Sequence, residues 1–170
     1  MTDEPLYVDG VIHRRMMGAW VTGVCLVTTT TPDGRPAGCT LNALTSLSLE
    51  PPSLIVALGT ESRTLVALQA AGVFGVNVLA TDQEDVARRF AHGGLSAEER
   101  FESTAHEVRH GVPLITGSVV SLVCELTDAI PLHDHVIVAG KVVLGWHDDE
   151  RTPLVFFGGA YEAPRVAVSP

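Results

Sequence analysis

The sequence predicts a mainly β protein: six or so strands in an antiparallel β-barrel, with short helices inserted between them. Three observations predict it. Apolar residues recur at every second position in several runs, the pattern of a half-buried strand, most plainly at Val120, Leu122, Cys124 and Leu126. Gly and Pro stand between those runs as punctuation rather than gathered into one linker. Strand and helix signals do not alternate regularly enough for a doubly wound parallel sheet.

The first ten residues read as an acidic, flexible tail, and Val11 to Ala19 as a short helix with Ile12, Met16 and Ala19 on one face. Val21 to Thr31, rich in Val and Thr, reads as a strand. Pro32-Asp33-Gly34 turns the chain, and Ala37 to Leu41 returns as the second arm of a hairpin. Leu41 to Leu49 is a Ser/Thr-punctuated connection. Pro51-Pro52 then blocks helix and introduces a strand from Ser53 to Leu58. Ser62 is an N-cap and Gly72 a stop for a helix carrying Leu65 and Leu68. Val73 to Leu79 is the next strand. Thr81 with Glu84 predicts a capping box for a helix running to Ala91, and Ser96 with Glu99 repeats the signal. Two long strands follow, one from Val119 to Leu126 and one carrying Val136, Val138, Gly140, Val142, Leu144 and Trp146. Leu154 to Phe157 is the last.

At 170 residues the chain is read as one domain, 1–170, without internal repeats. A composition 46% hydrophobic and 18% charged excludes a disordered or coiled-coil chain. With 5% aromatic residues the core is mostly Val, Leu and Ala, and surplus apolar surface points to a homodimer. Twenty acidic against eleven basic residues, a net charge of -9, argue against nucleic acid and anionic lipid as partners. An anionic ligand must be held locally, by a few Arg or Lys side chains or by backbone N–H groups at a helix start. Cys25, Cys39 and Cys124, odd in number and set among apolar neighbours, read as buried reduced thiols of a cytoplasmic protein. Arg14-Arg15 ahead of Met16 to Val27 has the outline of a twin-arginine signal. Trp20, Thr22 and Gly23 interrupt that stretch, and no A-x-A cleavage pattern follows. No run reaches the ~18 apolar residues of a membrane span.

The common nucleotide and hydrolase fingerprints are missing: no G-x-G-x-x-G after a strand, no Walker sequence, no G-x-S-x-G. Two polar clusters stand out instead. Thr40-Leu41-Asn42-Ala43-Leu44-Thr45-Ser46 offers small hydroxyl and amide groups that suit the edge of a flat heterocycle, or else an ordinary turn-rich connection. Ser62-Arg63-Thr64 at a helix start suits a phosphate, or else is a cap beside a solvated charge. Seven histidines raise a metal reading, with His106 and His110 at i, i+4 and His133-Asp134-His135 close together. Gly111 and Pro113 put the first pair on a loop, and no Cys accompanies either pair, so no metal is expected. One functional His at the barrel mouth is weighed instead against a satisfied surface His.

Taken in order, these segments resemble the flavin reductase family with the FMN-binding split-barrel fold, the small reductase components of two-component flavin-dependent monooxygenases. The resemblance runs from about Arg15 to Tyr161. It rests on Trp20-Val21-Thr22-Gly23-Val24, Gly38-Cys39-Thr40-Leu41-Asn42-Ala43, Ser46-Leu47-Ser48-Leu49-Glu50-Pro51-Pro52, and Ser62-Arg63-Thr64. Phe74-Gly75-Val76-Asn77-Val78-Leu79, Phe90-Ala91 and Asp134-His135 with Gly140-Lys141-Val142 continue it. It implies a six-stranded antiparallel split β-barrel that dimerises, with flavin near the subunit interface. Thr40, Leu41, Asn42, Ala43 and Ser46 would line the isoalloxazine and its side chain. Ser62, Arg63 and Thr64 would hold the phosphate, and Phe90 would lie close to the flavin. His135 would stand near the nicotinamide and Tyr161 would close that side. His133 occupies a position where the family often has glycine, which leaves open which histidine approaches the nicotinamide. The implied reaction is hydride transfer from NAD(P)H to FMN or FAD, with reduced flavin passed to a separate oxygenase. A flavin-binding module without turnover, or a cofactor-free interaction barrel, are the other readings. FMN against FAD is undecided, and the lack of an arginine cluster for a 2′-phosphate favours NADH over NADPH.

Overall fold

The structure, a computed structural model, describes residues 7–164. Most of the expected tail, residues 1–6, lies outside the described residues, and Gly10 already belongs to the first helix. The elements in chain order are α1 (Gly10–Met17), β1 (Thr22–Gly23), β2 (Cys25–Thr30), β3 (Pro36–Leu41), β4 (Leu44–Leu49), β5 (Pro52–Gly59), α2 (Arg63–Ala71) and β6 (Val73–Val78). They continue with α3 (Glu84–Ala91), α4 (Ala97–Glu102), β7 (His106–Arg109), β8 (Val112–Ile115), β9 (Val120–Leu132), β10 (His135–His147), β11 (Val155–Phe157) and β12 (Ala160–Glu162).

The protein is mainly β. One antiparallel sheet holds seven strands in the order β3-β2-β6-β9-β10-β5-β4, against the six expected. Its two outer strands do not pair with each other among the described residues; they are joined through the chain itself, by Asn42-Ala43. β1, β11 and β12 form a three-stranded sheet, and β7 with β8 a separate hairpin.

Strand alternation distributes the apolar residues of β2 and the residue before it between two cores. Cys25 and Val27 enter one with Val56, Leu68, Phe74, Cys124 and Val138. Val24 and Leu26 enter the other with Leu79, Phe90, Phe101 and Leu154. Cys25 and Cys124 are buried, as expected, and burial pushes both up to about 12, whereas Cys39 on β3 is only half-buried. Asn77, wholly buried on β6, links the sheet to β8: its carbonyl accepts the Ile115 N–H at 2.8 Å while its amide donates to the Thr28 hydroxyl at 3.1 Å.

Ser62 caps α2, accepting the Leu65 N–H at 3.4 Å, and Gly72 ends it in the left-handed region at φ 69. The expected Ser96–Glu99 box caps α4 reciprocally. The Thr81–Glu84 box does not form. The Gln83 side chain accepts the Ala80 N–H at 3.0 Å, and a 3-10 turn over Thr81–Gln83 precedes α3. Two further corrections concern connections: Leu44–Leu49 is a strand, and His106 lies on β7 rather than on a loop. Among the described residues no helix is long and apolar enough to cross a membrane.

Candidate functional site

The corner where β3 passes into β4 is the meeting point of three clefts. The first, about 490 Å³, is lined by Asn42, Ala43 and Thr45 with Ile55, Ala57, Ile137, Trp20 and Thr22. The second, about 690 Å³, runs from Asn42 past Trp20 to Arg14, Arg15, Phe156 and Phe157. The third, about 190 Å³, is bordered by Thr40, Leu41, Asn42, Phe156 and Tyr161. The structure therefore brings Thr40, Leu41, Asn42, Ala43 and Tyr161 together. Of these, Asn42 and Ala43 are exposed. The Thr40 hydroxyl is turned inward, donating to the Ala87 carbonyl at 2.7 Å, and the Leu41 carbonyl accepts the Cys25 thiol at 3.5 Å.

Thr22 contributes a buried hydroxyl oxygen with no hydrogen-bond partner on the wall of the first cleft. A buried polar atom without a partner costs free energy. Tyr161 packs edge-on against Phe156 at 5.3 Å beneath the Arg88 guanidinium, and burial pushes its phenol up.

Of the residues expected around the flavin ring and nicotinamide, Phe90, Ser46 and His135 line none of these clefts. Phe90 is 1% exposed and packs edge-on against Phe101 at 4.9 Å, so it is a core residue behind the site. Ser46 is exposed on β4 opposite Leu54 and borders none of the three.

A fourth, polar cleft of about 200 Å³ opens at the other end of β3, between Gly38, the start of α2 and α4. Arg63, Thr64 and Arg100 line it. The first turn of α2 carries no acidic side chain to offset the positive end of its dipole. Ser62 serves as the cap, and burial pushes the Cys39 thiol up, opposed in part by Thr64 and Ser62. Gly38 and Asn42 are four residues apart, roughly 13 Å along an extended strand.

β9 and β10 are joined by the two-residue turn His133-Asp134, with φ 55 at His133. Positive φ at the first central position is the type II′ pattern that glycine satisfies most easily. His135, at the start of β10, pairs with Gly59, three residues before Ser62. Alternation puts it on the same face as Ile137, which lines the first cleft, roughly 7 Å further along. The strand face leading into the cleft thus carries His135, whereas His133 sits in the turn. The Asp134 carboxylate contacts His135 Nδ1 at 2.9 Å. Among the described residues no three potential metal-ligating side chains cluster; His106 is engaged with the Thr104 carbonyl at 2.8 Å.

A family model for the flavin reductase like domain matches residues 17–165. The chain belongs to that family. A flavin reductase (NADH) of Kitasatospora aureofaciens is 39% identical over 173 residues, covering 96% of this chain and 89% of its own. The reductase subunit of a flavin-dependent monooxygenase from Rhodococcus jostii is 34% identical, over 91% of this chain and 77% of its own. The NADH:FAD oxidoreductase of Streptomyces globisporus, solved in complex with NAD and FAD fragments, superposes with a TM-score of 0.86 at 33% identity, covering 94% of each chain. Within this flavin reductase framework Trp20, Thr22 and Arg100 border the clefts although their local sequence names no chemistry. Trp20 stands between the expected helix and the expected strand, Thr22 stands in that strand, and Arg100 follows the Ser96–Glu99 capping signal.

Proposed function

We propose that the protein is an NADH-dependent flavin reductase that delivers reduced flavin to a separate oxygenase, its ring site being the corner at Asn42-Ala43. The observation that carries this reading is the convergence there of an apolar cleft and the exposed connector. The fit is physical. A flat heterocycle needs small groups where it enters, and Ala43 and Ala57 supply them; it needs apolar walls, and Ile55, Ile137 and Trp20 supply those. Its relatives named as NADH-dependent flavin reductases and as a monooxygenase reductase subunit support the activity and the oxygenase partner.

When bound, flavin and reduced nicotinamide supply the redox chemistry, a hydride transfer that requires their reacting atoms in van der Waals contact and water excluded. The chain positions and shields. Asn42 and the connector's main chain present polar groups to the edge of the ring, and donors there favour the anionic reduced state. Arg63, Thr64 and the start of α2 hold the phosphate. His135 orients the reductant from the strand face leading into the cleft, and Tyr161 closes the opposite side.

In this reading the sheet is a six-stranded split barrel with added edges, and it works as a cytoplasmic homodimer. Leu47 and Leu49 on the outer strand β4 are 57% and 88% exposed, and Ile130 and Leu132 at the end of β9 are 56% and 50% exposed. Such surface is what a second copy covers. The test is steady-state oxidation of NADH and NADPH, followed at about 340 nm with FMN and with FAD. Flavin-dependent turnover is expected, fastest with NADH. A protein that binds flavin without oxidising either nucleotide would be a binding module instead.

A further inference from the structure

The polar cleft holds more positive charge than its residues neutralise. Arg35 on its rim is matched by Asp33 at 2.7 Å and by Glu98 at 2.6 Å. Glu98 is the only carboxylate among the residues lining the cleft, and it is therefore already engaged. Arg63 and Arg100 have no carboxylate partner among the described residues. Arg63 donates to the Leu95 carbonyl at 3.1 Å. Arg100 donates to the Gly38 carbonyl at 3.0 Å and the His92 carbonyl at 2.7 Å, one N–H from each terminal nitrogen. Its Nε is buried with no hydrogen-bond partner at all. Burial and then the neighbouring Arg63 both pull the Arg100 guanidinium below its usual range, the signature of a cation lacking its counter-charge.

We propose that Arg100 is a second phosphate-holding residue, acting with Arg63 on the phosphate of the bound flavin nucleotide. The inference rests on the flavin reductase reading above and deepens it. A terminal phosphate at neutral pH carries a charge of about -1.5 to -2, which two guanidiniums balance and one does not. Each terminal nitrogen of Arg100 retains one N–H for that purpose. The residue also explains how the cleft holds its shape: the same guanidinium ties α4 to the Gly38 carbonyl, so the phosphate and the α4 segment become mutually dependent.

The test compares FMN with riboflavin, which lacks the phosphate, in fluorescence titrations of the wild type, Arg100→Met and Arg100→Lys. Arg100→Met is expected to raise the FMN Kd by about tenfold or more while changing the riboflavin Kd less than about twofold. Arg100→Lys, which keeps the charge but not the fork, is expected to fall between. Inorganic phosphate should compete with FMN and leave riboflavin binding unaltered. Equal losses for both flavins in Arg100→Met would make Arg100 a brace for α4 only and overturn the proposal; so would an unchanged FMN Kd. A wild type that binds FMN and riboflavin alike also overturns it while leaving the flavin reductase reading intact. A wild type that binds none of FMN, FAD and riboflavin ends both.

Discussion

Asp134 Oδ1 lies 2.9 Å from His135 Nδ1, and both side chains stand open to solvent, three and two residues before Ile137 on the wall of the first cleft. An exposed pair of this kind adds little to stability and acts by setting the orientation of the imidazole, leaving Nε2 to meet a ligand. His135→Ala is therefore expected to raise KM for the reduced nucleotide or to lower kcat, with the flavin Kd held within about twofold. Steady-state kinetics together with flavin titration check this, and wild-type kinetics in the variant would remove His135 from the site.

The same contact has a pH signature. The hydrogen bond to His135 is the largest cause holding the Asp134 carboxyl below its ordinary value. A carboxyl whose folded value is depressed favours the folded, paired state above its unfolded value of about 3.9, and that contribution fades as pH falls through the lowered value. In His135→Ala the Asp134 carboxyl is expected to titrate higher than in wild type. Carboxyl carbon shifts followed by NMR from neutral to acid pH measure it, and identical midpoints would mean that the contact does not persist in solution.

Arg63 faces the polar cleft with its charge unmatched by any carboxylate among the described residues. Arg63→Ala is expected to weaken FMN binding more than tenfold, about 1.4 kcal/mol or more. The α2 cap is untouched by this change, because Ser62 supplies it. Circular dichroism should stay wild-type while the flavin titration shifts.

What was legible from sequence was whatever a local signal decides. Ser62 and Gly72 bracket α2 because a side-chain cap and a left-handed terminus are properties of single residues. Ser96 and Glu99 do the same for α4. Thr81 and Glu84 carried the same pattern, yet the Thr81 N–H donates to the Thr152 carbonyl at 2.9 Å, and Gln83 accepts the Ala80 N–H one residue earlier. β4 was hidden because Thr45, Ser46 and Ser48 resemble a turn-rich linker until β5 pairs with them. β8 was hidden by Pro113, which an edge strand of a two-stranded hairpin tolerates. At the site, the stretch Thr40–Ala43 could be named from its resemblance. Arg100 could not, since its meaning depends on the Gly38 carbonyl 62 residues away.

Gly140 on β10 faces Phe74, which is fully buried. A Cβ built there would overlap the Phe74 ring at Cζ and stand 2.8 Å from Cε1 and 3.0 Å from the Cys124 Cβ. Neither neighbour can withdraw from a close-packed core. Gly140→Ala is expected to cost about 1–3 kcal/mol, lowering Tm by about 2–4 °C per kcal/mol. Phe74→Leu in the Gly140→Ala background should recover part of it, as thermal melts would show; an additive further loss would place the strain elsewhere.

Trp20 lines both the first and second clefts at 66% exposure, an apolar ring left open beside Asn42. Tryptophan presents a large rigid face at small conformational cost, so a flat ring in the first cleft gains contact area against it. Because that contact is with the heterocycle and not the phosphate, Trp20→Ala is expected to weaken FMN and riboflavin by the same factor, about fivefold or 1 kcal/mol. Arg63→Ala should separate the two ligands, and Trp20→Ala should not. Paired titrations of both variants with both ligands read this directly. A Trp20→Ala protein that loses FMN but keeps riboflavin would move the ring out of the cleft at Asn42-Ala43 and leave only its phosphate near this end of the molecule.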